Sequence, residues 1–167
     1  MIKIQIGGLS EGVHEYQFST HVGDVGLSDP FRGDVRASVI LEKTGTQMVL
    51  KGAVRVEGDF MCDRCTRTIV LPVTSSYRMC YVTQGEQFEG VDPAELQTVA
   101  PGSGNIDITE DVRQTVLLAV PLKVLCSEGC RGLCPHCGKN LNMESCSCTR
   151  EEGDSRWEPL RSLRGSN

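Results

Sequence analysis

Large aromatic rings are scarce in this chain: Phe, Trp and Tyr together make up 5% of its 167 residues. With 39% hydrophobic residues overall, that supports a folded core, but a modest one built mainly of aliphatics. There is no apolar run of the length needed to cross a bilayer, so no membrane span is expected. The opening Met1-Ile-Lys-Ile-Gln-Ile-Gly-Gly8 has no apolar h-region, so no signal peptide is expected either. A positive balance is missing as well: the formal net charge is −5, which argues against a general polyanion binder. Also absent are a Gly-rich phosphate loop, a nucleophile elbow, a His-x-x-x-His metal helix and any internal repeat. No catalytic set emerges, and His14 and His21 stand isolated.

What the chain has is cysteine. Eight of its nine cysteines form four tight pairs: Cys62 with Cys65, Cys126 with Cys130, Cys134 with Cys137, and Cys146 with Cys148. Cys80 is left over and reads as a small surface or core residue. Cysteines in a chain with no export signal are expected to stay reduced, which points to a cytoplasmic location. The odd count argues against a closed disulfide framework, so metal ligation is the better reading. Two close thiolate pairs make one tetrahedral zinc site, so four pairs allow two.

The first 83 residues read as antiparallel strands. Ile2, Ile4 and Ile6 alternate with polar residues, as do Tyr16 and Phe18. Val35, Ala37, Val39 and Leu41 share one face, and Lys43-Thr-Gly-Thr46 signals a turn before Met48. Cys62-Asp-Arg-Cys65 falls between two such runs, at the expected tip of a long hairpin. Pro72 marks an edge or a bulge in the second run. Residues 84–105 read as an acidic loop broken by Pro93, Pro101 and Gly102. A helix follows near 109–120, with Thr109 as N-cap, Glu110 and Asp111 in the first turn, and Pro121 as its stop. The expected fold is therefore α+β: mostly antiparallel β, barrel- or sandwich-like, with one main helix and a C-terminal zinc-ribbon-like segment. Residues 1–125 form the β-rich domain, 126–148 the cysteine-rich metal-binding segment, and 149–167 a tail. Trp157, Leu160 and Leu163 are at helical spacing there and suggest a short helix.

Residues 126–148 lack the apolar residues for a core of their own, and metal is the obvious substitute. Cys134-Pro-His-Cys137-Gly138 has the form of a zinc knuckle, with His136 as a spacer; eight residues later come Cys146 and Cys148. So short a loop favours these four as one site. The remainder, Cys62, Cys65, Cys126 and Cys130, would enclose residues 66–125. Closing that loop costs about 3 to 4 kcal/mol. Structural zinc supplies on the order of 10 to 16 kcal/mol in small peptides, so the metal wins. A competing grouping puts Cys126, Cys130, Cys134 and Cys137 on a single ion. A redox role for Cys62 and Cys65 lacks the surrounding βαβ pattern, while an iron–sulfur cluster also fits four cysteines.

Charge is uneven. Residues 84–111 hold seven acids (Glu86, Glu89, Asp92, Glu95, Asp107, Glu110, Asp111) and no Lys or Arg. Residues 61–83 are mildly basic, with Arg64, Arg67 and Arg78 against Asp63, and so are residues 112–150.

Taken in order, several motifs resemble one family. They are Cys62-Asp-Arg-Cys65 after a β run, Ile106-Asp-Ile108, a helix ending in Val120-Pro-Leu122, the 126/130 cysteine pair, Gly132-Leu-Cys-Pro-His-Cys-Gly138, Cys146-Ser-Cys148, and Asp154-Ser-Arg156-Trp157 with Leu160 and Leu163. Over roughly residues 50 to 164 this is similar to the YceD-like proteins, the bacterial "large ribosomal RNA subunit accumulation" family. Ser155 stands where the family usually has Pro. The resemblance implies a non-catalytic factor, not an enzyme. It would support synthesis, processing or stability of large-subunit (23S) ribosomal RNA and ribosome assembly, with that RNA or a pre-ribosomal particle as partner. Arg64, Arg67, Arg131 and Lys139 are the residues expected to touch phosphate. The alternative is a zinc-stabilised protein-binding adaptor, or a chaperone for a ribosomal protein, using the acids of 84–111.

Overall fold

A computed structural model describes residues 1–84 and 90–148 of the chain. Its centre is three long strands, β3 (Phe31–Thr44), β4 (Gln47–Met61) and β5 (Thr68–Thr83). Alternate residues are buried along most of β3 and β4, and half-buried or buried in β5 up to Met79, after which Cys80, Tyr81 and Val82 are all buried. The short β1 (Lys3–Gln5) and then β2 (Gly12–His21) precede them; β6 (Leu96–Val99), β7 (Asn105–Asp107) and the helix α1 (Thr109–Leu118) follow. The main sheet runs β2-β3-β4-β5-β6, and β1 pairs with β7 as a separate two-stranded ribbon.

Cross-strand register carries the alternation from strand to strand, because directly paired residues share a face. Leu41 lies opposite Leu50, which lies opposite Met79; Val39, Gly52 and Tyr77 form the next row. This inner face joins Ile2, Ile4, Ile106 and Ile108 of the ribbon region and Val112 and Val116 of α1 in one core. Gly52 has a specific task in it: a Cβ there would overlap the ring of Tyr77, so the ring lies across the glycine. α1 is pinned to the sheet by polar contacts as well. Asp111 accepts from the Tyr81 hydroxyl at 3.2 Å and from Gln97 Nε2 at 2.9 Å. Burial pushes the Asp111 carboxyl above its ordinary range.

Strand alternation, the long hairpin and the helix match the sequence expectations; four details differ. First, the sheet is open, bounded by β2 and β6, so it is not a barrel. Its inner face is covered by the ribbon and the helix rather than by a second full sheet. Second, residues 84–105 are not all loop: β6 pairs in parallel with residues 80–83 of β5, and β7 begins at Asn105. Runs of three and four residues are too short to show a period in sequence. Third, Thr109 does not cap α1. Ile108 holds the cap position, Asp107 Oδ1 accepts from the Thr109 N–H at 3.0 Å, and the Thr109 hydroxyl accepts from Ile2 N at 2.7 Å. Its oxygen ties the helix to the residue that precedes β1 instead. Fourth, the helix ends at Leu118, with Ala119 as its C-cap. The tail helix expected around Trp157 lies outside the described residues. Pro72 fits the edge reading, because β6 reaches only the far end of β5 and leaves Pro72 without a neighbour on that side.

Gly52→Ala tests the packing directly. Overpacking against the Tyr77 ring should lower stability by about 1 to 3 kcal/mol, read as a lower denaturation midpoint with an unchanged slope.

Candidate metal centres

β4 and β5 stay paired to Met61 and Thr68, so residues 62–67 cap the far end of the longest hairpin. The tip folds on itself: Thr66 N–H donates to Cys62 O and Cys62 N–H to Arg67 O, both at 2.9 Å. Thr66 sits at φ +57°, in the left-handed region. The turn directs Cys62 and Cys65 inward, where both are buried.

The chain leaving α1 comes back to this tip. Asp63 and Val124 form a reciprocal clasp, with Asp63 N–H donating to Val124 O at 2.9 Å and Val124 N–H to Asp63 Oδ2 at 2.7 Å. Arg64 donates to Cys130 O at 2.8 Å and to Glu128 O at 3.3 Å. The Arg64 carbonyl accepts from Leu133 N–H at 3.1 Å. Gly132, at φ +75°, permits this approach, since a Cβ there would stand 3.0 Å from the same carbonyl.

Two groups of four sulfurs result, Cys62/Cys65/Cys126/Cys130 across these clasps and Cys134/Cys137/Cys146/Cys148 beside them, each with all ligand atoms within 4.8 Å of one another. In the first, Cys62 and Cys130 Sγ are 3.9 Å apart, and Cys65 and Cys126 Sγ 3.6 Å. In the second, Cys146 Sγ lies 3.5 Å from Cys137 and 3.3 Å from Cys134. A tetrahedral ion with metal–sulfur bonds of ~2.3 Å sets sulfurs ~3.8 Å apart, so both groups fit one ion each. The single-site grouping of 126, 130, 134 and 137 is not the one the fold assembles.

The two groups differ in shielding. Cys62, Cys65 and Cys130 are buried and form a small core of their own with Leu125 and Cys126. Cys137 and Cys148 are exposed. The second group is held by the knuckle turn: Cys134 N–H donates to Lys139 O at 2.8 Å, Gly138 N–H donates to Cys134 O at 2.9 Å, and Gly138 takes φ +73°. Asn142, in the loop between Cys137 and Cys146, reaches the first group. Its Oδ1 accepts from Arg131 N–H at 2.8 Å, and its Nδ2 donates to Cys130 Sγ at 3.3 Å.

Four thiols this close cannot all ionise without a cation among them. Burial raises the Cys62 thiol, but the backbone N–H groups of Cys126, Cys65 and Arg64 outweigh it and hold Cys62 at about 6. Backbone N–H groups of Cys137 and His136 bring Cys134 to about 6. Their neighbours keep their protons: Cys126, bonded to Cys130 and Cys65, rises to about 12, and Cys148, bonded to Cys146 and Cys137, also rises to about 12. Each group thus holds a thiolate-forming member beside a proton-retaining one. A divalent ion resolves that conflict by displacing the remaining protons.

Of the four basic residues expected at phosphate, Arg64 is engaged in the clasp and Lys139 lies 3.5 Å from Glu144. Arg67 and Arg131 are exposed, and neither side chain has an ion-pair partner among the described residues. Sequence reasoning missed Asp63 and Asn142. An Asp between two cysteines looks like an ordinary turn residue, and an Asn after the knuckle looks like loop; only the returning chain gives them partners.

The model of the family described as "Large ribosomal RNA subunit accumulation protein YceD" matches residues 50–164. A relative from Arabidopsis thaliana, "Large ribosomal RNA subunit accumulation protein YCED homolog 1, chloroplastic", is 41% identical over 64 residues, which is 38% of this chain and 20% of the relative. The protein of the same description from Zea mays is 43% identical over 44 residues, 26% of this chain and 15% of the relative. The chain therefore spans about a fifth or less of the length of the curated relatives it matches. No solved structure matches it.

Ligands of one ion are strongly non-additive. Cys65→Ser and Cys126→Ser should each release the same ion, and the double variant should lose no more metal than either alone. Cys137→Ser should release only the other ion. Elemental analysis of the purified variants checks this. Affinity should also fall as pH falls, because the thiols must be deprotonated to bind. Cys126 and Cys148, at about 12, release protons on binding throughout the neutral range, and below about 6 even Cys62 and Cys134 hold theirs. Metal retained after dialysis across that range should drop on the acid side.

Proposed function

Because the chain belongs to the YceD family of large ribosomal RNA subunit accumulation proteins, we propose that it is a non-catalytic factor that supports large-subunit ribosomal RNA during ribosome assembly. The observation carrying the reading is the match over residues 50–164, which includes the hairpin tip, α1 and both cysteine groups. In this reading each group holds one zinc ion, and the 126–148 segment acts as a zinc-ribbon-like reinforcement. A closed four-cysteine zinc leaves no open position for substrate, which suits a scaffold rather than an enzyme. Zinc would fix the tip and the returning segment in one arrangement; Asp63, Arg64 and Asn142 would hold the ligands in register.

The partner in this reading is structured large-subunit ribosomal RNA or a pre-ribosomal particle, with Arg67 and Arg131 among the phosphate contacts at the tip. No described helix is long and apolar enough to cross a membrane. A cytoplasmic location is part of the proposal, although the two plant relatives are named as chloroplastic.

Two measurements test this. Protein purified without added metal should carry two zinc ions per chain; visible iron–sulfur absorption contradicts the zinc assignment. Depleting the protein from its host should lower the large-subunit ribosomal RNA relative to the small-subunit RNA. An unchanged ratio contradicts the function.

A further inference from the structure

The outer face of the main sheet has a pattern that core packing does not explain. Arg36 lies directly opposite Arg55 in the β3–β4 register, with Thr74 next across the sheet. Like charges directly opposed across strands are destabilising. Four residues further along the same strands, Ile40, Lys51 and Arg78 make the matching row. Between the rows lie only Ser38, Ala53 and Ser76, all exposed. Two shallow depressions of about 480 and 550 Å³ share those three small residues and so form one trough. Arg36 and Arg55 line one end, Lys51 and Arg78 the other, about 13 Å apart by strand geometry.

The cations are available. Among the described residues Arg36, Arg55 and Lys51 have no ion-pair or hydrogen-bond partner, and Arg78 has only a loose pair with Glu95 at 3.8 Å. Arg32, by contrast, is held by Asp59 at 3.0 Å. The acids of this face, Glu15, Asp34, Glu42, Glu57 and Asp59, stand beside the trough; none lines it, although Asp34 and Glu57 share a neighbouring depression with Arg36 and Arg55.

We propose that this trough seats the sugar–phosphate backbone of double-helical RNA. The inference rests on the RNA reading above and gives it a surface distinct from the hairpin tip. Opposed arginines need an anion to offset their repulsion, and a phosphate chain supplies one at each end of the trough. The floor offers Ser38, Ser76 and Thr74 hydroxyls to phosphates and 2′-hydroxyls, and its flatness suits the wide, shallow minor groove of A-form RNA. Its one lining aromatic residue, Tyr77, is half-buried with its ring across Gly52, so the trough lacks the exposed stacking platform that single-stranded RNA needs.

The test uses the full chain and a labelled RNA hairpin, with an unstructured single strand of equal length as comparison. Affinity is measured by anisotropy across a salt series. Arg36→Ala with Arg55→Ala should weaken hairpin binding about tenfold or more and flatten the salt slope by about 2. Its melting temperature should be unchanged or higher, since a repulsive pair is gone. Wild type should prefer the hairpin to the single strand. The surface is overturned if wild type binds the hairpin and the double variant binds it equally. It is also overturned if the single strand binds as well as the hairpin. Should Arg67→Ala with Arg131→Ala abolish binding while the sheet variant retains it, the tip alone is the contact and the broader RNA reading survives. Should wild type bind no RNA yet co-purify with a protein, both the trough and the direct RNA contact fail.

Discussion

Residues 62–67 stand at the end of a hairpin whose tip side chains lie outside the main core, and the arrangement of the chain after α1 depends on how that tip is held. Val124, on the returning chain, is the member of the main cluster hydrogen-bonded to the tip, and on the hairpin that cluster ends near Phe60 and Ile69. Beyond it, the buried side chains are sulfurs: Cys62, Cys65 and Cys130, with Leu125 and Cys126 beside them. Apolar burial at that scale is worth little against the cost of fixing the returning chain. Four sulfurs around an ion are a different proposition, because metal–thiolate binding exceeds the closure cost of residues 66–125 several-fold. With an ion bound, the Asp63–Val124 clasp and the Arg64 bonds would set orientation rather than supply most of the energy.

The same geometry separates two jobs. The buried group joins parts of the chain distant in sequence and is shielded by its own small core. The outer group closes a local loop and leaves Cys137 and Cys148 in solvent. With ions bound, one would staple the sheet to the post-helix segment and the other would stiffen the segment itself. Asn142 lies in the loop between Cys137 and Cys146 that the outer group closes, and it accepts from Arg131 N–H while donating to a sulfur of the inner group. Loss of the outer group would therefore be felt at Cys130 as well, though less than loss of a ligand.

Much of this was legible in the sequence. Alternation along β3, β4 and most of β5 showed their faces, and four cysteine pairs with one short and one long spacing favoured two sites. The choice against a single site of 126, 130, 134 and 137 waited for the fold. What was not legible has a common cause: it needs partners distant in sequence. Thr109 reads as a helix cap until Ile2 supplies a better donor for its hydroxyl. Leu96 and Val99 read as loop until the end of β5 lies beside them. Arg64 reads as a free surface cation until Cys130 O and Glu128 O come within reach. The Arg36–Arg55 opposition is likewise invisible without the register, because the two residues lie on different strands of a hairpin.

The central claim is that one metal-bound unit couples the hairpin tip to the chain after α1. Native-state hydrogen exchange of the amides of Cys62, Asp63, Thr66, Val124 and Cys126, measured with and without a chelator, tests it most directly. The account predicts that chelation removes protection at the tip and at 124–126 together and to the same extent, while the centres of β3 and β4 stay protected. Protection that is lost on one side only, or that survives full removal of the metal on both, would contradict it.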